Sequence, residues 1–197
     1  LRQMVSSASM AVMPATQTTM FPVRGGGNEG ELSVWSDDWE IKSQHGRVRF
    51  TVDRVGNEGD GLIVALATAW RSNSAGIAAV IGDGVPMSTM DPMQSHRAVT
   101  RSYFAEMPFV SQPALQSSAR LNFRPQAGQT YEIRWSPGYV GFYSAASGTE
   151  YFNYIAEARA PAIRYVAFGV SGAERLLTNC AVAPQCTYVS GVEVQNY

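Results

Sequence analysis

The stretch QTYEIRWSPGYVGFYS, residues 129–144, decides the fold class of this chain. Apolar and polar residues alternate on both sides of Pro137 and Gly138, and these two residue types suit the central positions of a type II turn. A two-residue turn pairs Trp135 with Val140, because the numbers of paired residues then sum to 275. The face that this register makes apolar holds Ile133, Trp135, Val140 and Phe142. The stretch therefore predicts an antiparallel hairpin that buries one face in a core.

The opposite face of the same hairpin carries the candidate ligand-binding residues. These are Glu132, Arg134, Tyr139 and Tyr143. A tyrosine ring can stack on a sugar, and charged side chains can bind the hydroxyl groups around it. The alternative is that another layer of the protein covers this face.

The rest of the chain is also typical of β-structure. Residues 47–55, RVRFTVDRV, place valine and phenylalanine on one face and polar residues on the other, which is the pattern of a half-buried strand. Similar segments, separated by Gly, Pro, Asn and Asp, indicate about ten short strands. The one candidate helix runs from Asn153 to Ala160, just before Pro161. We expect an all-β antiparallel sandwich or jelly roll, with a single closed sheet as the competing arrangement.

Length and composition indicate one folded domain and exclude several functions. The chain has 197 residues, 45% of them hydrophobic, and a net charge of −1. It is too apolar to be disordered throughout and lacks the positive charge of a nucleic-acid binder. No apolar run is long enough to span a membrane. Residues 1–30 are expected to form an extended arm, and residues 31–197 a single sandwich domain.

The two cysteines, Cys180 and Cys186, enclose a short segment that contains Pro184. A pair that closes a small loop is a common staple in oxidised proteins, so we predict a disulfide; two buried thiols are the alternative. The residue spacings predict no metal site and no cofactor.

The acidic residues do not form a recognisable catalytic motif. The clusters Glu29/Glu31, Asp37/Asp38/Glu40 and Glu58/Asp60 lack the E-x-D-x-x-E strand of laminarinase-like jelly-roll hydrolases. No G-x-S-x-G or G-x-G-x-x-G motif occurs either. The segment Gly82-Asp-Gly is interpreted as a turn, or as a fragment of a calcium site.

Five segments together resemble the farnesoic acid O-methyltransferase-like domain. They begin at Phe50-Thr-Val and Gly61-Leu-Ile-Val-Ala-Leu, and continue at Ala79-Val-Ile-Gly-Asp-Gly, Tyr131-Glu-Ile-Arg-Trp-Ser-Pro-Gly-Tyr-Val-Gly and Ile163-Arg-Tyr-Val-Ala-Phe-Gly. The resemblance covers about residues 46–175 and implies a β-rich extracellular recognition module. This chain departs from the family at one point. In the family a basic element follows the third segment, whereas here Asp83-Gly-Val-Pro-Met stands in that place. Concanavalin-like jelly rolls contain similar strands and are the alternative to this family.

We therefore expect an extracellular or cell-surface module that binds a glycan or a protein without catalysis. One alternative is a structural subunit that assembles through residues 1–30, because a free arm gains order when a partner buries it. The other alternative is a glycan hydrolase or lyase whose acid pair the sequence does not reveal.

Overall fold

The structure, a computed structural model, describes residues 3–5, 9–11, 19–23, 32–56, 61–85, 99–108, 113–155, 162–171 and 186–197. These ranges contain strands and turns and no helix. The strands are β1 (Gln3–Val5), β2 (Ser9–Ala11), β3 (Phe21–Val23), β4 (Leu32–Glu40), β5 (Gly46–Arg54), β6 (Gly61–Ala67), β7 (Gly76–Val85), β8 (Val99–Met107), β9 (Ala119–Leu121), β10 (Gln129–Ser136), β11 (Tyr139–Ser144), β12 (Glu150–Ile155), β13 (Tyr165–Ser171) and β14 (Thr187–Asn196).

The strands form two antiparallel sheets that pack as a sandwich. Sheet A has the order β2-β1-β4-β13-β6-β7-β8-β9, and sheet B has the order β12-β11-β10-β5-β14-β3. Two separate sheets rule out the single closed sheet among the described strands. The predicted all-β sandwich is confirmed.

The hairpin of β10 and β11 has the predicted register. Trp135 lies opposite Val140, and Arg134 lies opposite Gly141. Gly138 has φ of 77°, as the third residue of a type II turn requires. All four residues of the predicted apolar face are buried between the sheets.

Two elements differ from the sequence-based expectation. Asn153, Tyr154 and Ile155 lie in β12, not in a helix, because β12 pairs with β11 and buries the alternating residues Phe152 and Tyr154; residues 156–160 lie outside the described ranges. The sequence analysis also missed β4, in which the consecutive residues 32–36 are all buried. A strand that is buried on both faces shows no alternation of apolar and polar residues.

The core lies between the sheets, and a second apolar cluster lies on the outer face of sheet A. Phe50, Phe142 and Phe168 are fully buried in the core. On the sheet A strands, core residues alternate with the residues of the outer cluster, since successive side chains point to opposite faces. This outer cluster includes Trp35, Ile63, Ala65, Ala78, Val80, Tyr103, Ala105 and Ala167.

Within residues 1–30, the described strands pair with the same chain. β1 pairs with β4 and β2, while β3 pairs with β14. Phe21 of β3 is buried against Trp39 and Phe168, at centroid distances of 5.7 and 5.6 Å. The division into an arm and a domain stays a prediction. The described ranges contain no helix long and apolar enough to cross a membrane.

Candidate functional site: a cavity at one end of the sandwich

A cavity of about 810 Å³ opens at the end of the sandwich where β4 and β10 finish. The segment between β4 and β5, the turn between β10 and β11, and the residues just before β13 form its walls. We call it the end cavity. Its lining residues are Glu40, Ile41, Lys42, Ser43, Gln44, Ile77, Trp135, Ser136, Pro137, Gly138, Tyr139, Val140, Tyr154, Ala162, Ile163 and Arg164.

An ion pair lies at the wall of the end cavity. Arg164 Nη2 is 3.5 Å from Glu40 Oε1, and both side chains are partly exposed to solvent. A backbone hydrogen bond of 2.7 Å from Ile41 N–H to the Arg164 carbonyl holds the two segments together. Lys42, the only lysine of the chain, also lines the cavity. The described lining therefore offers one carboxylate, the arginine paired with it and one lysine.

A tyrosine and a glutamate form a second polar pair at the end cavity. The Tyr154 hydroxyl donates a hydrogen bond of 2.9 Å to Glu106 Oε1, and Tyr154 lines the cavity. Burial and, to a smaller extent, the hydrogen bond to Glu106 raise the pKa of Tyr154 to about 12. Tyr154 therefore keeps its proton at neutral pH.

Trp135 connects the core to the end cavity. Its indole Nε1–H donates a hydrogen bond of 3.1 Å to the Ser43 carbonyl. A Cβ atom at position 46 would lie only 2.6 Å from the Trp135 ring, so a residue larger than Gly46 would clash with that ring. The sequence thus places a large ring under the segment between β4 and β5, and the absence of a side chain at residue 46 makes room for it.

The structure brings the predicted residues Glu132, Arg134, Tyr139 and Tyr143 together on the outer face of sheet B. We call them the outer-face group. Arg134 Nη2 is 2.7 Å from Glu132 Oε1, and the Arg134 guanidinium carbon lies 4.1 Å from the centroid of the Tyr143 ring. Tyr139 and Tyr143 share a short hydrogen bond between their hydroxyls. The Tyr139 hydroxyl also donates to Glu150 Oε1, at 2.6 Å. Tyr139 lines the end cavity as well, so the two regions are continuous.

Glu132 is a buried carboxylate on an otherwise open face. Its side chain is 1% exposed, and it contacts Arg47 at 3.0 Å, Arg49 at 2.9 Å and Arg134. Burial by itself would raise the pKa of Glu132. The hydrogen bonds from Arg134 and Arg49 and the nearby charges outweigh burial, and they lower the pKa below its ordinary value. The side chains of Arg49 and Arg134 are 39% and 40% exposed, so no second layer covers these two arginines.

A buried polar group lies on the outer face of sheet A at the opposite end of the sandwich. Asp83 accepts hydrogen bonds from the Tyr103 hydroxyl, at 3.2 Å, and from Ser171 Oγ, at 3.1 Å. Burial, and then the charge of Asp83, raises the pKa of Tyr103. Asp83 lies inside β7, which corrects the interpretation of Gly82-Asp-Gly as a turn. The described residues contain no group of three or more His, Cys, Asp or Glu side chains that could hold a metal.

The sequence analysis missed the end cavity. Glu40 and Arg164 are 124 residues apart in the chain, and only the pairing of β13 with β4 brings them together. Tyr154 was assigned to a helix, so its position at the cavity wall was not foreseen. The available signals were Glu40 in an acidic cluster and Lys42 as the only lysine.

Comparisons with known proteins show similarity of fold at very low sequence identity. The structure of Crh5 transglycosylase in complex with NAG matches 98% of this chain and 78% of its own chain, with TM-score 0.52 and 12% identity. A β-1,3-1,4-glucanase (lichenase) from a mouse hindgut metagenome matches 94% of this chain and 95% of its own, with TM-score 0.47 and 8% identity. Porphyranase B from Zobellia galactanivorans matches 90% of this chain and 76% of its own, with TM-score 0.43 and 8% identity.

No protein-family model and no curated protein sequence matches the chain. The resemblance to the farnesoic acid O-methyltransferase-like domain is therefore not shown and stays a prediction. The expectation of a non-catalytic recognition module is wrong, because the neighbour with a TM-score above 0.5 is a transglycosylase. What the comparisons establish is the fold, which is an antiparallel β-sandwich of the jelly-roll type.

Proposed function

We propose that this protein cleaves glycosidic bonds in a glycan and that the end cavity binds the sugar at the bond to be broken. The observation that carries the proposal is the end cavity itself. Its volume of about 810 Å³ is within the range of small-molecule sites. Its walls combine the rings of Trp135 and Tyr154 with the carboxylate of Glu40, and glycoside cleavage needs such proton-transferring groups beside a surface for the sugar ring.

Two groups are proposed to carry the chemistry. Glu40, with Arg164 beside it, is the base that takes a proton from a water molecule as the water oxygen attacks the anomeric carbon. Tyr154 is proposed to donate a hydrogen bond to the leaving glycosidic oxygen while a proton from solvent reaches that oxygen; its raised pKa makes the hydroxyl a hydrogen-bond donor and not a strong acid. Glu106 orients the Tyr154 hydroxyl. If another sugar hydroxyl replaces water, the same step transfers the glycan instead of hydrolysing it.

The outer-face group is proposed as a second contact with the glycan. Tyr139 belongs to this group and also lines the end cavity, so a chain that leaves the cavity can reach Arg134 and Tyr143. One face of the Tyr143 ring already contacts Arg134. We therefore propose that the outer-face group binds the glycan by hydrogen bonds, and that no sugar stacks on the face of Tyr143 that Arg134 covers.

An extracellular or cell-surface location and the Cys180–Cys186 disulfide belong to the same proposal. Disulfides persist in oxidising compartments, which include the cell surface and the extracellular space. Cys186 is buried just before β14. Cys180 lies outside the described residues, so the bond stays a prediction.

The test is a panel of polysaccharides incubated with the full chain and assayed for new reducing ends and for larger transfer products. We expect cleavage of at least one polysaccharide by the unaltered protein. Glu40→Gln should lower the rate by about a hundredfold or more, since proton transfer contributes at least that much. The control is Glu193→Gln, an exposed glutamate on β14 away from the end cavity.

Two results would overturn the proposal. One is that the unaltered protein releases no reducing end and forms no transfer product from any member of the panel. The other is that Glu40→Gln cleaves as fast as Glu193→Gln.

A further inference from the structure

Three aromatic rings run in a row along the outer face of sheet A. The centroids of Trp35 and Trp70 are 5.7 Å apart, and those of Trp70 and Tyr165 are 5.4 Å apart. Trp35 is buried, whereas Trp70 and Tyr165 are only partly buried. The row therefore passes from the interior of the outer cluster to the protein surface.

The exposed end of this row lies beside Arg164, which lines the end cavity. Tyr165 follows Arg164 in the chain, and the Arg164 guanidinium carbon lies 5.6 Å from the centroid of the Tyr165 ring. Arg164 lines the cavity and pairs with Glu40. A chain-like ligand with one end in the cavity would thus pass Arg164 and then reach Tyr165 and Trp70.

The turn that carries Trp70 is held in an unfavourable backbone conformation. Arg71 has φ of 58°, in the left-handed region that costs a non-glycine residue about 1 kcal/mol. Hydrogen bonds from Thr68 N–H to the Ala75 carbonyl, at 3.2 Å, and from Ser72 N–H to the Ala69 carbonyl, at 3.3 Å, close the turn. A large ring is therefore fixed at the surface on a well-defined turn.

We propose that Trp70, Tyr165 and Arg164 form a platform that binds additional sugar units of an extended glycan. This inference rests on the proposed function, because it takes the sugar in the end cavity as the start of the chain. Aromatic rings contact the apolar faces of sugars, and guanidinium groups donate hydrogen bonds to hydroxyls. The ligand is accordingly an oligosaccharide or polysaccharide, not a single sugar.

The experiment measures cleavage and binding of one glycan type as a function of its length. The substrates are the oligosaccharides obtained from the polysaccharide that the panel identifies, together with an aryl glycoside of one sugar unit. Trp70→Ala should lower kcat/KM for the longest oligosaccharides about tenfold, the size expected for one lost ring contact. It should leave kcat/KM for the aryl glycoside unchanged, and Trp70→Phe should restore most of the loss.

The matched control is Tyr188→Ala. Tyr188 is also a partly buried ring with an arginine, Arg54, over its face at 5.7 Å, but it lies where β5 ends, away from the end cavity. Trp70→Leu keeps apolar volume in case Trp70→Ala does not fold, and thermal melting of each variant shows whether it is folded.

The outcomes separate this inference from the proposed function. If oligosaccharides are cleaved but Trp70→Ala and Trp70→Leu lower the rates for short and long substrates equally, the platform is refuted and the function stands. If no glycan is cleaved, the proposed function falls. Titration of the unaltered protein and of Trp70→Ala with each polysaccharide of the panel then tests the platform, which is refuted if no polysaccharide binds the unaltered protein more tightly than the variant.

Discussion

At the scale of single residues, Glu132 shows how a charge is buried on the outer face of a sheet. The strand β10 places it between Arg49 of β5 and Arg134, so guanidinium groups replace the water that burial removes. Such a carboxylate is stabilising only with its partners, and its partners repel one another without it. The Glu132 side chain therefore fixes three arginines in one arrangement.

Glu132→Gln should lower the free energy of unfolding at pH 7 by about 2 kcal/mol, since hydrogen bonds to a buried charge are lost. The pKa of folded Glu132 lies below its ordinary value of about 4.5. Its contribution is therefore present above pH 4.5 and is lost as the pH falls through the lowered value. Urea denaturation of both proteins from pH 8 to pH 3 measures this difference.

The control for this change is Glu193→Gln, because Glu193 lies opposite Arg49 in the sheet but is exposed. We expect an effect within about 0.5 kcal/mol for that variant. A difference between Glu132→Gln and the unaltered protein that stays constant down to pH 3 would contradict the assignment of a lowered pKa.

At the scale of elements, the hairpin of β10 and β11 has two faces with different roles. Trp135 is 4% exposed and packs in the core, while Tyr143 lies on the open outer face. Trp135→Ala should cost about 3 to 5 kcal/mol of unfolding free energy, because it leaves a cavity and removes the bond to Ser43. Tyr143→Ala should change the melting temperature by only a few degrees.

Binding measurements on the same hairpin test the outer-face group. Tyr143→Ala and Arg134→Ala should each weaken glycan binding while leaving the protein folded, because Tyr143 is partly exposed and Arg47 and Arg49 still pair with Glu132 when Arg134 is removed. Isothermal titration with the oligosaccharides of the cleavage assay measures the affinity. Unchanged affinity in both variants would remove this group from the proposed site.

The element β14 begins directly after Cys186, so the predicted disulfide is expected to affect that end of the sheet. Native mass spectrometry with an alkylating reagent should find no free thiol before reduction. Cys180→Ser should lower the free energy of unfolding by about 2 kcal/mol, the loop-closure value for a loop of this size. Two alkylated cysteines in the unreduced protein would show that the bond is absent.

At the scale of the whole molecule, β3 completes the core from a part of the chain that the sequence assigns to an arm. Phe21 and Val23 are both buried, and β3 covers the edge of β14. Deletion of residues 1–23 should therefore lower the free energy of unfolding by about 4 kcal/mol, the value of two buried apolar side chains. Chemical denaturation measures the loss.

Deletion of residues 1–18 keeps β3 and is the matched comparison. We expect it to be milder than the deletion of residues 1–23. Size-exclusion chromatography of both proteins also tests assembly through residues 1–30. If the full chain elutes as an oligomer and the shortened chains elute as monomers, the structural-subunit alternative gains support. If all three elute as monomers, that alternative is lost.

The sequence by itself determined the fold class and the register of the hairpin. Both follow from local physics: side chains alternate with a period of two, and Pro137-Gly138 suits the centre of a type II turn, whereas a longer loop would have shifted the pairs. The four members of the outer-face group were likewise predictable, because the register that buries Trp135 places them on the other side.

Only the tertiary structure decided where the candidate site lies. Glu40, Tyr154 and Arg164 come from three separate parts of the chain, and no local pattern encodes the pairing that brings them to one cavity. β4 escaped prediction for a related reason. Residues 32–36 are buried on both faces of the sheet, and a strand shows an alternation of apolar and polar residues only when one of its faces is exposed to water.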